Sequence, residues 1–162
     1  MQRIVCTRWG PPEDLVLVEE ADPVPGEGQV LVEVAASGVN FVDALFVAGT
    51  YQIKVPPPFT PGSELAGTVT AVGPGVELIE VGDRVLSSLG LGAFATHAVV
   101  PALGVTRIPE SLDLATAAAL VQSYCTAWFA LHRRTTVRPE ETVLVLGAGG
   151  GVGLAAIDVA RA

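Results

Sequence analysis

Basic side chains are scarce in this sequence. It has 9 Lys and Arg residues against 17 Asp and Glu residues, which gives a formal net charge of −8 and a pI near 4.6. A chain this acidic lacks the general positive surface with which proteins hold a phosphate backbone or an anionic bilayer. The charge balance therefore predicts no nucleic-acid partner and no membrane partner.

Cysteines and long apolar runs are equally scarce. Cys6 and Cys125 are too few and too far apart for a disulfide framework or a spaced metal motif, so both are predicted to be free thiols. The N-terminus lacks the apolar core of a signal peptide, and no stretch approaches the roughly 20 apolar residues of a membrane helix. These absences predict a cytoplasmic protein.

Glycine, in contrast, is plentiful, and residues 141–162 form the most informative stretch. The apolar, β-branched run at residues 143–146 predicts a strand buried on both faces, as in parallel sheets. The glycines at 147–151 then allow a ligand to approach the backbone closely. From Gly151 onward the Ala, Leu and Ile content, with no glycine or proline after Gly153, predicts a helix whose first N–H groups face the loop. Together these features predict an anion site.

The spacing of this loop is A-x-G-x-x-G, with Ala148, Gly150 and Gly153 at the three defined positions. It resembles the dinucleotide-binding fingerprint, which also lies between a strand and a helix. A glycine-rich turn that binds nothing is the alternative interpretation. A P-loop is disfavoured, because no Gly-Lys-Ser/Thr sequence ends the loop.

The first two thirds of the chain have the pattern of a β protein. Strand-like runs separated by proline- and glycine-rich turns predict a compact, partly closed β domain; they lie at residues 4–9, 15–20, 29–36, 65–72, 83–87 and 94–100. A short helix is expected at residues 40–48, with Asn40 as its cap and a stop near Gly49.

The texture becomes helical beyond residue 110. Residues 112–132 are rich in Ala and Leu, with Ser111 or Asp113 available as N-cap and Arg133 and Arg134 near the C-terminal end. We therefore expect an α/β protein with a substrate-binding and catalytic β domain at residues 1–110. Residues 111–162 would begin a dinucleotide-binding domain and leave it incomplete.

These motifs occur in an order that resembles a known family. The matching segments are residues 38–43, 49–51, 61–67, 81–85, 93–101 and 147–153. They resemble the zinc-independent NADPH:quinone oxidoreductase branch of the medium-chain dehydrogenase/reductase superfamily. The resemblance implies a GroES-like β domain followed by the start of a Rossmann domain, with the active site in the cleft between them. It also implies NADPH as cofactor, a quinone or α,β-unsaturated carbonyl as substrate, and a homodimer.

The resemblance also bears on metal. Zinc-binding members of the superfamily draw three ligands from Cys, His and carboxylate side chains. At the matching positions this chain has Asn40, Ser63 and the region of Gln122, and no cysteine-rich lobe follows Val85. We therefore expect no metal site.

Site residues follow from the same resemblance. It places three catalytic residues at the nicotinamide end of the cleft, Asn40, Asp43 and Tyr51. It places five cofactor-binding residues further along it, Thr126, Gly150, Gly151, Val152 and Gly153. Each side chain has a structural alternative: a helix cap for Asn40, a first-turn carboxylate for Asp43, packing for Tyr51, and a bond back to its own helix for Thr126.

Two positions depart from the family pattern. Asp158 stands where the branch usually carries Gln, and Leu45 stands where some members have a second tyrosine, so the pocket and its substrate are expected to differ. An enoyl-thioester reductase of the same fold and a noncatalytic N-terminal fragment or binding module both stay open as alternatives.

The end of the sequence carries a further expectation. A dinucleotide site needs at least one more strand, and the residue that reads the ribose lies roughly 20 residues past the glycines. We therefore expect the 162-residue chain to belong to a longer reductase and to be inactive alone. For the same reason the preference for NADPH over NADH rests on the resemblance only.

Overall fold

A computed structural model describes all residues of the chain, Met1–Ala162, and these fall into two compact units. Unit 1 is Met1–Ala119 and unit 2 is Leu120–Ala162. No helix in either unit combines the length and the apolar character needed to cross a bilayer.

Unit 1 is built mainly of strands. In chain order its elements are β1 (Gln2–Val5), β2 (Val16–Glu19), β3 (Gln29–Gly38), α1 (Phe41–Val47), β4 (Glu64–Val72), β5 (Arg84–Ser88), β6 (His97–Pro101), β7 (Val105–Arg107) and α2 (Leu114–Ala118). β1 and β2 pair as an antiparallel ribbon, while the other five strands form an antiparallel sheet in the order β6-β3-β4-β5-β7. Each of the six strand-like runs of the sequence thus overlaps one strand, whereas β7, which is only three residues long, lies outside them.

The core of unit 1 lies on one face of the five-stranded sheet. Val30, Val32, Leu65, Val69 and Val85 are each at most 1% exposed and belong to one apolar cluster. Val30 and Val32 are two residues apart on β3, so the alternation of side chains along a strand directs both to the same face. Burial of these branched side chains is the main stabilising term of the sheet.

Helix α1 confirms the prediction for residues 40–48. It begins after Asn40, and Asp43, three residues on, accepts a hydrogen bond from the Asn40 backbone N–H at 2.8 Å. It ends before Gly49, whose φ of +65° is in the left-handed region that favours glycine. Phe46 and Val47 on its inner side pack with Cys6 and Phe59 in a second apolar cluster.

The helix predicted at residues 112–132 is wrong in its continuity. α2 stops at Ala118 in unit 1, and a separate helix begins at Val121 in unit 2. Of the two proposed N-caps, Asp113 is confirmed: its carboxylate accepts from the Thr116 N–H at 2.8 Å. The hydroxyl and N–H of Thr116 also lower the pKa of Asp113.

Unit 2 contains α3 (Val121–Trp128), a π-helical segment (Phe129–Arg134) and α4 (Gly151–Arg161). The strand predicted at residues 143–146 is not formed. A strand needs a neighbour to pair its backbone N–H and C=O groups, and unit 2 has no other strand. Leu144 and Leu146, expected to be buried, are 81% and 85% exposed.

The division of the chain into functional domains at residues 110 and 111 stays a prediction. The two compact units part between Ala119 and Leu120, so α2 lies with the β elements of unit 1.

Candidate functional site

Four polar residues cluster where β3, α1 and β4 meet in unit 1. Asn40 follows β3 and begins α1, Asp43 lies in the first turn of α1, and Ser63 and Glu64 stand at the start of β4. Asp43, Ser63 and Glu64 are at most 3% exposed. Buried polar groups are costly unless hydrogen-bonded, so these side chains must satisfy one another.

Asn40 is the centre of that network. Its carboxamide nitrogen donates to Glu64 Oε1 at 2.8 Å and to Ser63 Oγ at 3.3 Å, and its backbone N–H donates to Asp43 Oδ2 at 2.8 Å. The two predicted site residues Asn40 and Asp43 are therefore in direct contact. This geometry also gives Asn40 and Asp43 the capping role that was their structural alternative.

The carboxyl group of Asp43 is electrostatically unusual. Burial raises its pKa, and the negative charge of Glu64 raises it further, while hydrogen bonds from the Asn40 N–H, the Ser63 hydroxyl and the Gly62 N–H act in the opposite direction. Its Oδ1 atom is buried and has no hydrogen-bond partner. Perturbed carboxyl groups of this kind are frequent at functional sites, although structural networks produce them as well.

Tyr51 lies in a different environment. It packs on the second apolar cluster of unit 1, with its ring 4.6 Å from that of Phe46 at an angle of 52°. No hydrogen bond from its hydroxyl to another residue of the chain is found, and the residue as a whole is half-buried. The packing alternative and the predicted catalytic role are compatible, because the ring and the hydroxyl serve different contacts.

The glycine loop of unit 2 has the backbone features that close phosphate approach requires. Gly147 has a φ of +73°, and Gly150 caps α4 without a side-chain hydrogen bond. A Cβ at Gly153 would overlap the Gly147 carbonyl oxygen and lie 2.8 Å from Ala148 Cα, so only glycine lets α4 start against the loop. The first intrahelical hydrogen bond runs from Leu154 N to Gly150 O, and Gly150 N donates to Gly147 O, which leaves the N–H groups of Gly151, Val152 and Gly153 without a backbone acceptor.

The cofactor positions of α3 and α4 have contacts of their own. Thr126 Oγ1 donates to the Gln122 carbonyl oxygen at 2.6 Å, as its structural alternative anticipated. Tyr124 Oη donates to Asp158 Oδ2 at 2.7 Å, which joins α3 to α4 and raises the pKa of Tyr124. Asp158, the residue that departs from the family pattern, thus links two helices of unit 2.

The sequence did not single out Ser63 and Glu64 as members of the site. The available signal was Glu64 itself, a carboxylate directly before an apolar strand in the segment Pro61-Gly62-Ser63-Glu64. Its contact with Asn40 spans 24 residues and needs the β3–β4 pairing to be known.

The glycine loop has features that suit a cofactor phosphate, whereas a metal ion would need a set of ligating side chains. The Gly153 approach and the free N–H groups of the loop fit a dinucleotide phosphate. A catalytic zinc needs three suitable side chains, and no group of three or more His, Cys, Asp or Glu residues is placed to hold a metal ion. Cys6 is buried and Cys125 exposed, and both are free thiols.

Comparison with known proteins assigns the chain to a family. Residues 26–110, just over half of the chain, match the alcohol dehydrogenase GroES-like domain. The chain belongs to this family, and the expected α/β fold with a GroES-like β domain is confirmed.

Individual relatives point to one branch. Quinone oxidoreductase of Homo sapiens is 42% identical over 100% of this chain and 50% of its own length. The structure of Escherichia coli quinone oxidoreductase complexed with NADPH matches 99% of this chain and 49% of its own, with 35% identity and a TM-score of 0.93. The quinone oxidoreductase of Thermus thermophilus, also described with NADPH, matches at 38% identity and a TM-score of 0.87. The chain spans about half the length of these relatives, and the resemblance read from the sequence is confirmed.

Proposed function

We propose that this chain, which spans about half the length of its quinone oxidoreductase relatives, functions in a zinc-independent, NADPH-dependent oxidoreductase that reduces a quinone or an α,β-unsaturated carbonyl compound. The observation that carries the proposal is the cluster at Asn40. An amide and a hydroxyl occupy the two positions where zinc-binding relatives need a thiolate and an imidazole, and they are hydrogen-bonded to each other at 3.3 Å. The similarity to quinone oxidoreductases over the whole chain supports the same reaction class.

In this proposal the protein binds and orients, while the nicotinamide supplies the hydride. The N–H groups of Gly151, Val152 and Gly153 would hold the pyrophosphate, and Gly150 would let it approach the backbone closely. Thr126, whose hydroxyl proton is committed to Gln122, offers its lone pairs to the cofactor.

The polar cluster and Tyr51 are proposed to act on the nicotinamide and the acceptor. Asn40 is half-buried and rigidly held, which suits a residue that orients a reacting group. The free hydroxyl of Tyr51 can donate to the acceptor oxygen. Asp43 fixes the backbone of Asn40, because its carboxylate accepts a hydrogen bond from the Asn40 N–H.

The homodimer and the cytoplasmic location belong to this proposal as well. The homodimer is inferred from the family resemblance and the cytoplasmic location from the expectation stated in the sequence analysis; gel filtration and cell fractionation would test them.

The test compares the 162-residue chain with a chimera in which the remaining half of the human relative follows Ala162. We expect the chimera to oxidise NADPH in the presence of a simple quinone, and the short chain to be inactive. Asn40→Ala and Tyr51→Phe should each lower turnover of the chimera without unfolding it. Equal turnover by the 162-residue chain would contradict this expectation. Turnover only with an enoyl thioester would favour the alternative reductase.

Elemental analysis tests the metal component separately. We expect no stoichiometric zinc in either protein. One zinc per chain that survives a chelator would contradict the zinc-independent mechanism, whatever the turnover.

A further inference from the structure

Glu64 is buried in the polar cluster, and the glycine opposite it on the neighbouring strand, Gly38, leaves the space for its side chain. It is 1% exposed at the first position of β4, opposite Gly38 at the end of β3. A Cβ at Gly38 would overlap Glu64 Oε1 and lie 2.8 Å from the Ala118 carbonyl oxygen. Gly38 is therefore required for the Glu64 carboxylate to reach Asn40.

The contact between Glu64 and Asn40 determines which way the Asn40 amide faces. An ionised carboxylate only accepts hydrogen bonds, whereas a carboxamide has a donor edge and an acceptor edge. The 2.8 Å contact to Glu64 Oε1 therefore selects the nitrogen edge, and the oxygen lies on the opposite edge. Ser63 Oγ alone would not select an edge, because a hydroxyl both donates and accepts.

We propose that Glu64 is a positioning residue that fixes the orientation of the Asn40 carboxamide for the reaction. This inference rests on the proposed role of Asn40. Without the Glu64 carboxylate, the amide is free to rotate and to present its donor edge to the nicotinamide or the acceptor. Gly38 contributes to the same arrangement, because the absence of a Cβ there leaves space for the Glu64 carboxylate.

The first test observes Asn40 directly in the 162-residue chain. The side-chain NH₂ resonances of Asn40 are identified in a ¹⁵N-labelled sample as the pair that disappears in Asn40→Ala. A charge-assisted hydrogen bond shifts an amide proton downfield, so Glu64→Gln and Glu64→Ala should move one of these protons upfield. Gly38→Ala should produce a similar shift, because it displaces the carboxylate.

Glu33→Gln is the matched control. Glu33 lies on β3 with an exposed side chain, so its substitution removes one charge from the same sheet without touching the cluster. We expect the Asn40 resonances to be unchanged in this variant. If they are also unchanged in Glu64→Gln and Glu64→Ala, the inference is wrong. Glu64→Gln keeps the size of the side chain and serves if Glu64→Ala does not fold.

The second test measures turnover of the chimera. Glu64→Gln should lower kcat by about 10- to 100-fold, as expected for a misplaced reacting group, with the KM for NADPH unchanged. A normal kcat in Glu64→Gln together with a low kcat in Asn40→Ala would overturn the positioning role of Glu64 and leave the proposed role of Asn40 intact. Normal kcat in Asn40→Ala would overturn the proposed role of Asn40 and, with it, that of Glu64.

Discussion

Every strand of unit 1 has a hydrogen-bonded neighbour, whereas the apolar segment at residues 143–146 of unit 2 has none. Both regions are rich in Val and Leu. In unit 1 these side chains are buried under a paired sheet, while Leu144 and Leu146 are almost fully exposed. The difference shows that an apolar, β-branched run becomes a strand only when another strand satisfies its backbone.

The largest contrast is expected between two leucines. Leu65→Ala removes a fully buried side chain from the core of unit 1 and should lower the free energy of unfolding by about 2–5 kcal/mol. Leu144→Ala, at an exposed position of unit 2, should change it by less than about 0.5 kcal/mol. Urea unfolding of both variants measures the difference. Equal losses would show that residues 143–146 are packed in solution.

A second contrast concerns two glycines. A Cβ at Gly67 on β4 would overlap the Glu33 carbonyl oxygen of the neighbouring strand, whereas a Cβ at Gly149 meets nothing within 4 Å. Gly67→Ala should therefore cost about 1–3 kcal/mol through strain in the sheet, and Gly149→Ala should be nearly neutral. Trp9 fluorescence in a Trp128→Phe background reports on the unfolding of unit 1. A neutral Gly67→Ala would mean that β3 and β4 separate more easily than their pairing indicates.

The third prediction concerns the pH dependence of unit 1. The pKa of Asp43 is raised in the folded state, so above about 3.9 the folded state binds more protons at this group than the unfolded state does. The contribution of Asp43 to the free energy of unfolding should therefore fall as pH rises through the folded-state pKa.

Asp43→Asn removes this titration and keeps an oxygen for the Asn40 N–H. Relative to this variant, the native chain should become less stable as pH rises above about 4 and through the raised pKa of Asp43 in the folded state, as measured by urea unfolding. Glu33→Gln is the control and should leave the profile unchanged. A constant difference between the native chain and Asp43→Asn would contradict the effect of burial on Asp43.

The smallest effect is expected at the α3–α4 contact of unit 2. The hydrogen bond to Asp158, together with its charge and partial burial, raises the pKa of Tyr124. Asp158→Asn should lower that pKa toward its ordinary value, as followed by the ultraviolet absorbance of the tyrosinate. An unaltered Tyr124 titration would mean that the contact is not populated.

Local features could be predicted from the sequence. Asn40 and Gly49 bound α1 because a cap and a left-handed glycine act on backbone within a few residues of themselves. The strands around residues 30 and 65 follow from β-branched runs between turns. The pairing of Asn40 with Asp43 is equally local, since three residues on a helix bring the two groups together.

Features that join distant parts of the chain were decided by the tertiary structure. The contact of Glu64 with Asn40 requires β3 and β4 to be aligned in register, with a glycine at position 38 to leave space. The break at Ala119 separates two helices whose residues read as one continuous helical pattern. The segment at residues 143–146 has the composition of a strand, but the hydrogen bonds of a strand come from a neighbour, and composition cannot supply one.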